Sequence, residues 1–278
     1  MQQVITKDRP TWSLGRFSLV FTAALWFVSP FARSGEADHP AVPDDQKRYA
    51  PPIAAASDEG ERALRSFQAA SGLTIKLFAA EPLLANPVAF CFDEKGVVYV
   101  AETFRHGAGV TDTRGHMNWL DDDLACRTVA DRVAMYKKFL GKEFETYHTE
   151  HERVKRLVDR DGDGRADDAT VFADGFNDPA AGIGAGLLAR KGDVWFTCIP
   201  WLWKLRDTKG EGVATERTLL HEGYGVHVGF LGHDLHGLIM GPDGKLYFSI
   251  GDRGFNVTTK EGTQLTVIDT GSVLRCNP

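Results

Sequence analysis

A pair of histidines and an aspartate flank a predicted β-hairpin near the carboxyl end of the sequence. His233 and His236 precede the apolar stretch 238–240, and Asp252 follows the stretch 246–250, with the turn Gly-Pro-Asp-Gly between the two stretches. Because the strands of a hairpin begin and end at the same edge, we expect His233 and Asp252 to lie close together. A histidine can take a proton near neutral pH, and a bonded carboxylate fixes its tautomer and increases its basicity. The spacing predicts a catalytic base, His233, supported by Asp252; the alternative is two polar residues at the rim of a structural domain.

Other polar and aromatic residues extend this candidate site. Arg253 follows Asp252 directly, and we expect its guanidinium to hold an anionic group of a cofactor. Further candidates are His227 and His236 at the same rim, Glu102, Thr103 and Arg105 at the end of the first inner strand, and Trp201 and Trp203, which could stack on a sugar. For the others the structural interpretation is stronger: Trp195 in the core, and His148 and His151 in solvent.

A loop rich in aspartate has the spacing of a calcium site. Its carboxylates stand at positions 1, 3, 5 and 9, a glycine at position 6 permits a tight turn, and the carbonyl at position 7 is expected to face inward. Position 12 is Thr170, where an EF-hand has glutamate, so we predict a strand-linking calcium loop with a structural role. The alternative is a solvated acidic turn, in which crowded carboxylates repel one another. The predicted ligands are Asp159, Asp161, Asp163, Arg165 through its carbonyl, and Asp167.

Similar segments recur along the chain. An apolar stretch, a glycine-containing turn and a second apolar stretch follow one another three times, and the loop at Asp159 has a counterpart about fifty positions later at Asp207. Lys209 stands among the corresponding ligand positions, so we predict that the counterpart binds no metal. Four short strands per repeat are typical of β-propeller blades, whereas chance similarity between two glycine-rich loops is the alternative.

The sequence therefore predicts an all-β fold, a β-propeller that has six blades when complete and of which this chain carries about three. The predicted blades span about residues 85–176, 177–224 and 225–278. The first contains a helical insertion from Asn118 to about Tyr147, where apolar residues recur at helical spacing. Because three blades cannot close a ring, we expect the sequence to be the first half of a larger domain.

The beginning of the sequence predicts export. Basic residues precede the apolar stretch from Phe17 to Val28, and small residues follow it, so residues 1–34 are predicted to be a signal peptide. The apolar stretch is short for a bilayer span, and an uncleaved anchor is the alternative. Residues 35–72 are predicted to be a linker with a short helix within 59–68. We expect an exported protein that is periplasmic or associated with the cell envelope.

Composition argues against several classes of function. The net charge is −6 and no basic stripe is present, which argues against nucleic-acid binding. Export permits disulfides among the four cysteines, but their spacing does not show whether any form. Cys91 and Cys198 lie in apolar stretches, where a buried free thiol is common. The sequence contains no C-x-x-C-H, G-x-G-x-x-G or G-x-S-x-G, the motifs for haem attachment, dinucleotide binding and serine hydrolysis.

The segment "HDLHGLIMGPDGKLYFSIGDRGFN" resembles soluble quinoprotein glucose, sorbosone and aldose-sugar dehydrogenases. The resemblance implies that the histidine before the Gly-Pro-Asp turn, here His233, takes the hydroxyl proton of a sugar while the hydride passes to pyrroloquinoline quinone. It also implies that Asp252 is the acid that supports this base. From Leu73 onward the chain, together with its signal, resembles the N-terminal portion of the propellers of planctomycete-type membrane-bound dehydrogenases. The basic residues that hold the quinone in the sugar dehydrogenases come from later blades, which this sequence does not contain.

Two interpretations follow. In the first, the chain is an exported dehydrogenase domain with calcium and pyrroloquinoline quinone as cofactors, a small-molecule sugar or alcohol as substrate, and a cytochrome c as electron acceptor. In the second, it is a non-catalytic, calcium-stabilised propeller that binds a polysaccharide or a protein, or an inactive truncated fragment. Resemblance in fold does not by itself carry function, so the site must decide between them.

Overall fold

A computed structural model describes residues 49–278. The predicted signal peptide, residues 1–34, and the first part of the predicted linker lie outside the described residues. Later in the linker, helix α1 spans Glu59–Leu64, inside the segment predicted to be helical. Among the described residues, no helix combines the length and the apolar character that crossing a bilayer requires.

Two four-stranded antiparallel sheets form the first two thirds of the described chain. The first contains β1 (Pro87–Phe92), β2 (Val98–Thr103), β3 (Glu152–Val158) and β4 (Asp168–Phe176). The second contains β5 (Gly184–Arg190), β6 (Asp193–Cys198), β7 (Trp201–Arg206) and β8 (Glu216–Glu222). In both sheets each strand pairs with the next strand along the chain, so the order in space is the order in sequence.

The third sheet is smaller and includes a returning strand. Its hairpin consists of β9 (Leu235–Met240) and β10 (Leu246–Ile250). The chain then forms a separate two-stranded sheet, β11 (Phe255–Thr258) with β12 (Gln264–Val267), before β13 (Ser272–Cys276) pairs with β10. The predicted all-β class is confirmed, and the described residues form no closed ring of sheets.

The hairpin turns follow from residues that accept left-handed backbone conformations. Lys191 and Gly192 join β5 to β6 with φ values of 52° and 84°. Two consecutive positive φ values are typical of a type I′ turn, whose twist matches that of the flanking strands. Glycine takes this conformation without steric cost, so its position in the turn fixes the register of the hairpin.

The second sheet lies between the other two, and both of its faces are buried. Strand β5 contacts both β1 and β9. On one face of β6, Phe196 joins a core cluster with Phe172 of the first sheet; on the other, Trp195 joins a cluster with Phe248 of the third sheet. Neighbouring residues of a strand point to opposite faces, so a nearly continuous buried stretch is what a doubly covered strand needs. Trp195 is a core residue, as predicted.

The other two tryptophans of the second sheet also serve packing. Trp201 and Trp203 are half-buried and lie against the cluster between the first and second sheets. The ring of Trp203 meets that of Phe176 edge-on, with centroids 5.9 Å apart. These contacts account for both indoles without the stacked sugar that the sequence suggested.

The segment between β2 and β3 is largely helical, as its apolar periodicity predicts. It contains α2 (Leu120–Ala125) and α3 (Val129–Leu140). Helix α3 begins with a capping box, in which the Thr128 hydroxyl accepts the backbone N–H of Asp131 and the Asp131 carboxylate accepts the N–H of Thr128. The capping box satisfies orphan donors and therefore fixes where the helix starts.

Helix α3 is attached to the loops that precede β5 and β9. The guanidinium of Arg132, which is 1% exposed, donates from Nε to the carbonyl of Gly225 and from Nη2 to that of Ala180, both at 2.8 Å. Met135 and Tyr136 of the same helix pack against Val226 and Val228. The insertion thus covers the loops that lead into the candidate site.

The four cysteines are free thiols, and Cys126 and Cys198 are buried. Cys198 lies in the core between the first and second sheets, as predicted, while Cys91 is half-buried. Burial raises the pKa of the Cys91 thiol to about 12, which keeps it protonated and unreactive near neutral pH.

Candidate active site

The register of the third sheet brings the predicted pair together. Leu235 at the start of β9 lies opposite Ile250 at the end of β10, so the residues just outside the hairpin are neighbours. Gly251 allows this approach, because a Cβ there would lie 2.8 Å from the Cβ of His233. Nδ1 of His233 lies 2.7 Å from Oδ1 of Asp252.

The pair has the geometry of an oriented base. Its side chains are 45% and 49% exposed, so a ligand can reach both. A carboxylate that accepts the Nδ1 proton holds the imidazole in the tautomer whose Nε2 carries the free lone pair. Nε2 of His233 is then the atom that can take a proton from a hydroxyl group.

Arg253 does not hold an anion at the surface, contrary to the sequence-based expectation. It is 1% exposed, and its Nη1 forms an ion pair with the fully buried carboxylate of Asp234. Its Nε also donates to the carbonyl of His227 at 3.3 Å. The reversal has a simple cause: Asp234 supplies an anion of the protein itself, and a buried guanidinium needs such a partner.

His227 is also structural. It is buried, and Nδ1 donates to the backbone carbonyl of Asp123 at 2.7 Å, while the Asp123 carboxylate accepts the N–H of Val228. The hydrogen bond to Asp123 raises the pKa of His227 above its ordinary value, against the opposing effect of burial. His236 lies within β9 and is half-buried; its carbonyl accepts the hydroxyl of Ser249. Neither histidine joins the pair.

Residues that the sequence did not suggest surround the pair. Phe230 is 41% exposed, and its ring lies edge-on to that of His233 with centroids 5.6 Å apart. The guanidinium of Arg114 lies over the Phe230 ring, 5.2 Å from its centroid, and pairs with Asp112. An aromatic residue between glycines just before the motif was a signal for Phe230. Arg114 gave no such signal, because only the fold brings it near a residue so distant in sequence.

The candidates at the end of β2 form a buried network instead of a ligand site. Arg105 is fully buried, and its guanidinium donates to five backbone carbonyls, those of Gly109, Tyr147, Glu150, Asp178 and Ala181. Glu102 is fully buried and pairs with Arg153. Thr103 donates its hydroxyl to Glu152 at 2.5 Å. All three therefore hold loops and strands together.

Glu152, at the start of β3, is a buried acid with a strongly shifted pKa. Its carboxylate also accepts the N–H of Gly184 at 2.8 Å and is fully buried between the first two sheets. Burial raises its pKa to about 7, although the hydrogen bonds from Thr103 and Gly184 act in the opposite direction. Glu152 has no surface access, so we assign it to stability and not to proton transfer with a ligand.

The aspartate loop brings three of the predicted calcium ligands together. Carboxylate oxygens of Asp159, Asp161 and Asp167 lie within 4.8 Å of one another. The carboxylate of Asp163 is not part of this group; it accepts the backbone N–H of Arg165 at 2.7 Å. The Arg165 guanidinium pairs with Glu61. Among the described carboxylates, three of the four predicted ligands therefore lie together.

The counterpart loop has the same backbone arrangement. Asp159 accepts the N–H groups of Gly162 and Gly164, at 2.7 and 2.8 Å, through its two carboxylate oxygens. Asp207 accepts those of Gly210 and Gly212, both at 2.7 Å. The repeat seen in the sequence is therefore a structural one, and its conserved element is an aspartate that folds the loop by itself.

The histidines beside the helical insertion differ from each other. His148 is exposed, as predicted. The prediction of a solvated side chain is wrong for His151, because its Nδ1 pairs with Asp174 at 2.8 Å and its ring stacks on Tyr49 with centroids 4.1 Å apart. These contacts tie the start of the described chain to β4.

Four surface cavities do not include His233 or Asp252 in their lining. The largest of the four, about 540 Å³, lies where β1 begins and β2 ends and includes Phe104, His106 and Glu150 in its lining. Another, about 250 Å³, includes Tyr224, Phe248 and Phe255 in its lining. Among residues 49–278, the His233–Asp252 pair thus occupies an open surface and not one of these cavities.

Replacement of Arg253 tests its structural role. Arg253→Ala leaves the Asp234 carboxylate buried without its partner, and we expect the free energy of unfolding in urea to fall by about 3–5 kcal/mol. The exposed control Arg114→Ala should change it by less than about 1 kcal/mol. Removing both charges in Arg253→Met/Asp234→Leu should recover part of the loss. A fully stable Arg253→Ala protein would contradict this assignment.

The raised pKa of Glu152 predicts a specific dependence of stability on pH. The folded state binds the proton more tightly than the unfolded state, so this contribution is complete below pH 4.5 and is lost as the pH rises through about 7. We expect a loss on the order of 3 kcal/mol across that window. Urea unfolding curves of Glu152→Gln should lack this decline. Equal declines in both proteins would show that other groups cause it.

Comparison with known proteins places the chain in a family. Residues 59–278, from α1 to the last strand and beyond it, match the model of a family described as "Domain of unknown function (DUF7133)". No curated protein matches the sequence. Because the family model covers most of the chain, the protein belongs to the DUF7133 family.

Proposed function

We propose that this domain is an exported oxidoreductase domain that oxidises a sugar or other alcohol, with His233 as the base that takes the hydroxyl proton. The observation that carries the proposal is the 2.7 Å contact between His233 Nδ1 and Asp252 Oδ1 at an accessible surface. A hydroxyl group presented to Nε2 would lose its proton to the imidazole, and Asp252 would stabilise the resulting imidazolium.

Oxidation also requires a hydride acceptor. The carbinol carbon loses a hydride as the hydroxyl loses its proton, and the resemblance noted in the sequence implies pyrroloquinoline quinone for this role. Arg253 is not available to this tricarboxylate, because it is buried against Asp234. We therefore assign no residue to the quinone and use it as a probe.

We further propose that the three sheets are successive blades of a β-propeller. Two four-stranded meanders follow one another, and β5, the first strand of the second sheet, contacts the first strands of both neighbouring sheets. This is the relation between the inner strands of adjacent blades. In such an arrangement the loops before β9 and after β10 face the central axis, which is a common place for ligand sites in propellers.

The setting of this activity is also part of the proposal. The basic and apolar beginning of the sequence favours export to the periplasm or the cell envelope, and a cytochrome c is the electron acceptor that fits the related dehydrogenases. The acidic net charge of −6 favours a small molecule over nucleic acid as the ligand.

Turnover with added quinone tests the proposed function. The full chain, with calcium present, is titrated with pyrroloquinoline quinone while dye reduction is followed over a panel of sugars and simple alcohols. We expect quinone-dependent turnover that falls by at least about 10²-fold in His233→Ala, because the general base is lost. Asp252→Asn should lose a smaller factor, since the imidazole remains but its tautomer is no longer fixed.

The matched control is His148→Ala, which removes an exposed histidine far from the pair in sequence and should leave turnover unchanged. Saturating quinone with neither binding nor turnover would favour the alternative of a domain that only binds, in which His233 and Asp252 are polar residues at its rim. Turnover that survives His233→Ala would instead assign the base to another residue.

We also propose that the aspartate loop binds calcium with a structural role. Three carboxylates gathered within 4.8 Å repel one another unless a cation lies between them. Arg160 and Lys76 supply some positive charge nearby, through a pair with Asp168 and a bond to the carbonyl of Asp163 respectively. Neither side chain bonds to the three grouped carboxylates, so a bound calcium ion would reduce their mutual repulsion.

Thermal unfolding with and without calcium tests this second proposal. Calcium at about 100 times its Kd should stabilise the domain by about 2.7 kcal/mol, and a chelator should remove the effect. Asp159→Asn should abolish the response. Asp207→Asn is the matched control, because Asp207 makes the same backbone hydrogen bonds in a loop predicted to bind no metal. An equal response to calcium in all three proteins would rule out the Asp159 loop as the site.

A further inference from the structure

Two loops that are far apart in sequence are joined beside His233. Thr113 donates both its N–H, at 3.1 Å, and its hydroxyl, at 2.8 Å, to the carbonyl of Gly229. Leu231 returns a hydrogen bond from its N–H to the carboxylate of Asp112 at 3.1 Å. These three bonds fix residues 112–114, in the segment between β2 and β3, against residues 229–231. The side chains of both loops therefore have a defined position relative to the pair.

The inner side of this joint rests on the buried ion pair. Gly229 has φ +59°, and a Cβ there would lie 2.7 Å from Cγ of Arg253. Only glycine tolerates both the backbone conformation and this approach. The loop is therefore held by its contacts with Arg253 and Thr113, while Phe230 within it is 41% exposed.

Three side chains adjoin one another on this loop and beside it: those of His233, Phe230 and Arg114. The imidazole of His233 meets the exposed ring of Phe230, and the guanidinium of Arg114 lies over that same ring. One aromatic ring thus separates the proposed base from a cation. An accessible aromatic ring with polar groups on both sides has the mixed character of a site for a ligand that is itself part apolar and part hydroxylated.

Arg114 and Asp112 form a planar hydrogen-bonding unit. Nε of Arg114 donates to Oδ1 of Asp112 at 2.9 Å and Nη2 to Oδ2 at 2.7 Å. The Arg114 hydrogen bond lowers the pKa of the Asp112 carboxyl, which keeps it anionic. Two of the five guanidinium N–H groups are used in this pair, and the side chain is 71% exposed, so the remaining donors face solvent.

The charge of this surface favours a neutral ligand. The charge of Arg114 is balanced by Asp112, and Asp252, which is bonded to His233, adds a further negative charge. An anionic ligand would be repelled, whereas hydroxyl groups can accept from the guanidinium and donate to carboxylate oxygens. An exposed ion pair adds little to stability, so stability alone does not explain the placement of Arg114.

We propose that Phe230 and the Arg114–Asp112 pair form the recognition site for a neutral sugar ring with vicinal hydroxyl groups, positioned beside His233. In this site the Phe230 side chain contacts the apolar face of the sugar, and the Arg114 guanidinium donates to two neighbouring hydroxyl oxygens of the sugar. This inference rests on the proposed function in one respect: the bound sugar lies beside His233 as the base that takes its hydroxyl proton. It narrows the substrate from any alcohol to a cyclic polyol, because a monohydric alcohol would use neither group fully.

Ligand-detected NMR tests this site without requiring turnover. Saturation transfer from the full chain is measured to a panel of neutral hexoses and pentoses, with 1-propanol and D-glucuronate as comparison ligands. We expect transfer to one or more neutral sugars, and weaker transfer to the monohydric alcohol and to the anion. Phe230→Leu and Arg114→Gln should each weaken sugar binding by about tenfold, which corresponds to about 1.4 kcal/mol.

Two controls make the result specific. Phe230→Tyr keeps the aromatic face and should keep binding, although it changes the residue. Arg206→Gln removes another exposed arginine that is bonded to an aspartate, Asp193, and should leave binding unchanged. The melting temperature of every variant is measured alongside, since Phe230 and Arg114 are exposed and their replacement should not unfold the chain.

The outcomes separate this inference from the proposed function. Sugar binding that depends on Phe230 and Arg114 but gives no quinone-dependent turnover would support the recognition site and overturn the dehydrogenase. Quinone-dependent turnover that does not change when Phe230 or Arg114 is replaced would support the dehydrogenase and overturn the recognition site. No saturation transfer to any neutral sugar, or equal transfer in Phe230→Leu and the unchanged protein, would overturn the inference.

Discussion

Buried arginine side chains hold together the loops at one end of the sheets, and the candidate site depends on them. When a loop is buried, its backbone carbonyls lose their hydrogen bonds to water and need donors from the protein. Arg105 supplies donors to five carbonyls, Arg132 to two, and Arg253 to one while it neutralises Asp234. Each guanidinium thus replaces the water that these loops have lost, and the desolvated charge of Arg253 is offset by a carboxylate.

In this arrangement, the residues that hold the loops are different from the residues to which we assign the proposed chemistry. The supporting arginines and Asp234 are buried, whereas His233, Asp252, Phe230 and Arg114 are accessible. A base is effective only if its orientation is fixed, and the loops that carry these residues are fixed by the buried network and by the joint at Gly229. The segment between β2 and β3 contributes both the buried Arg132 and the exposed Arg114.

The two aspartate loops share a backbone arrangement but differ in the side chains that they gather. Asp159 and Asp207 fold their loops in the same way, by accepting two backbone N–H groups each. Only the first loop gathers further carboxylates, those of Asp161 and Asp167, around the same point. The same backbone hydrogen bonds thus accompany two different sets of side chains. A bound calcium would relieve repulsion among side chains that the fold itself did not require.

Local patterns were enough to predict the strand-turn-strand units, the helical character of the segment before β3, the repeat of the aspartate loops, and the proximity of His233 to Asp252. Each follows from periodicity, turn residues or hairpin geometry, which act over short distances along the chain. Whether a given arginine is buried or exposed depends on the tertiary structure. Arg253 was expected at the surface, but Asp234 and the carbonyl of His227 bind it inside, while Arg114 reaches the site from another part of the chain. Burial and charge pairing depend on contacts between distant segments, and no local pattern contains that information.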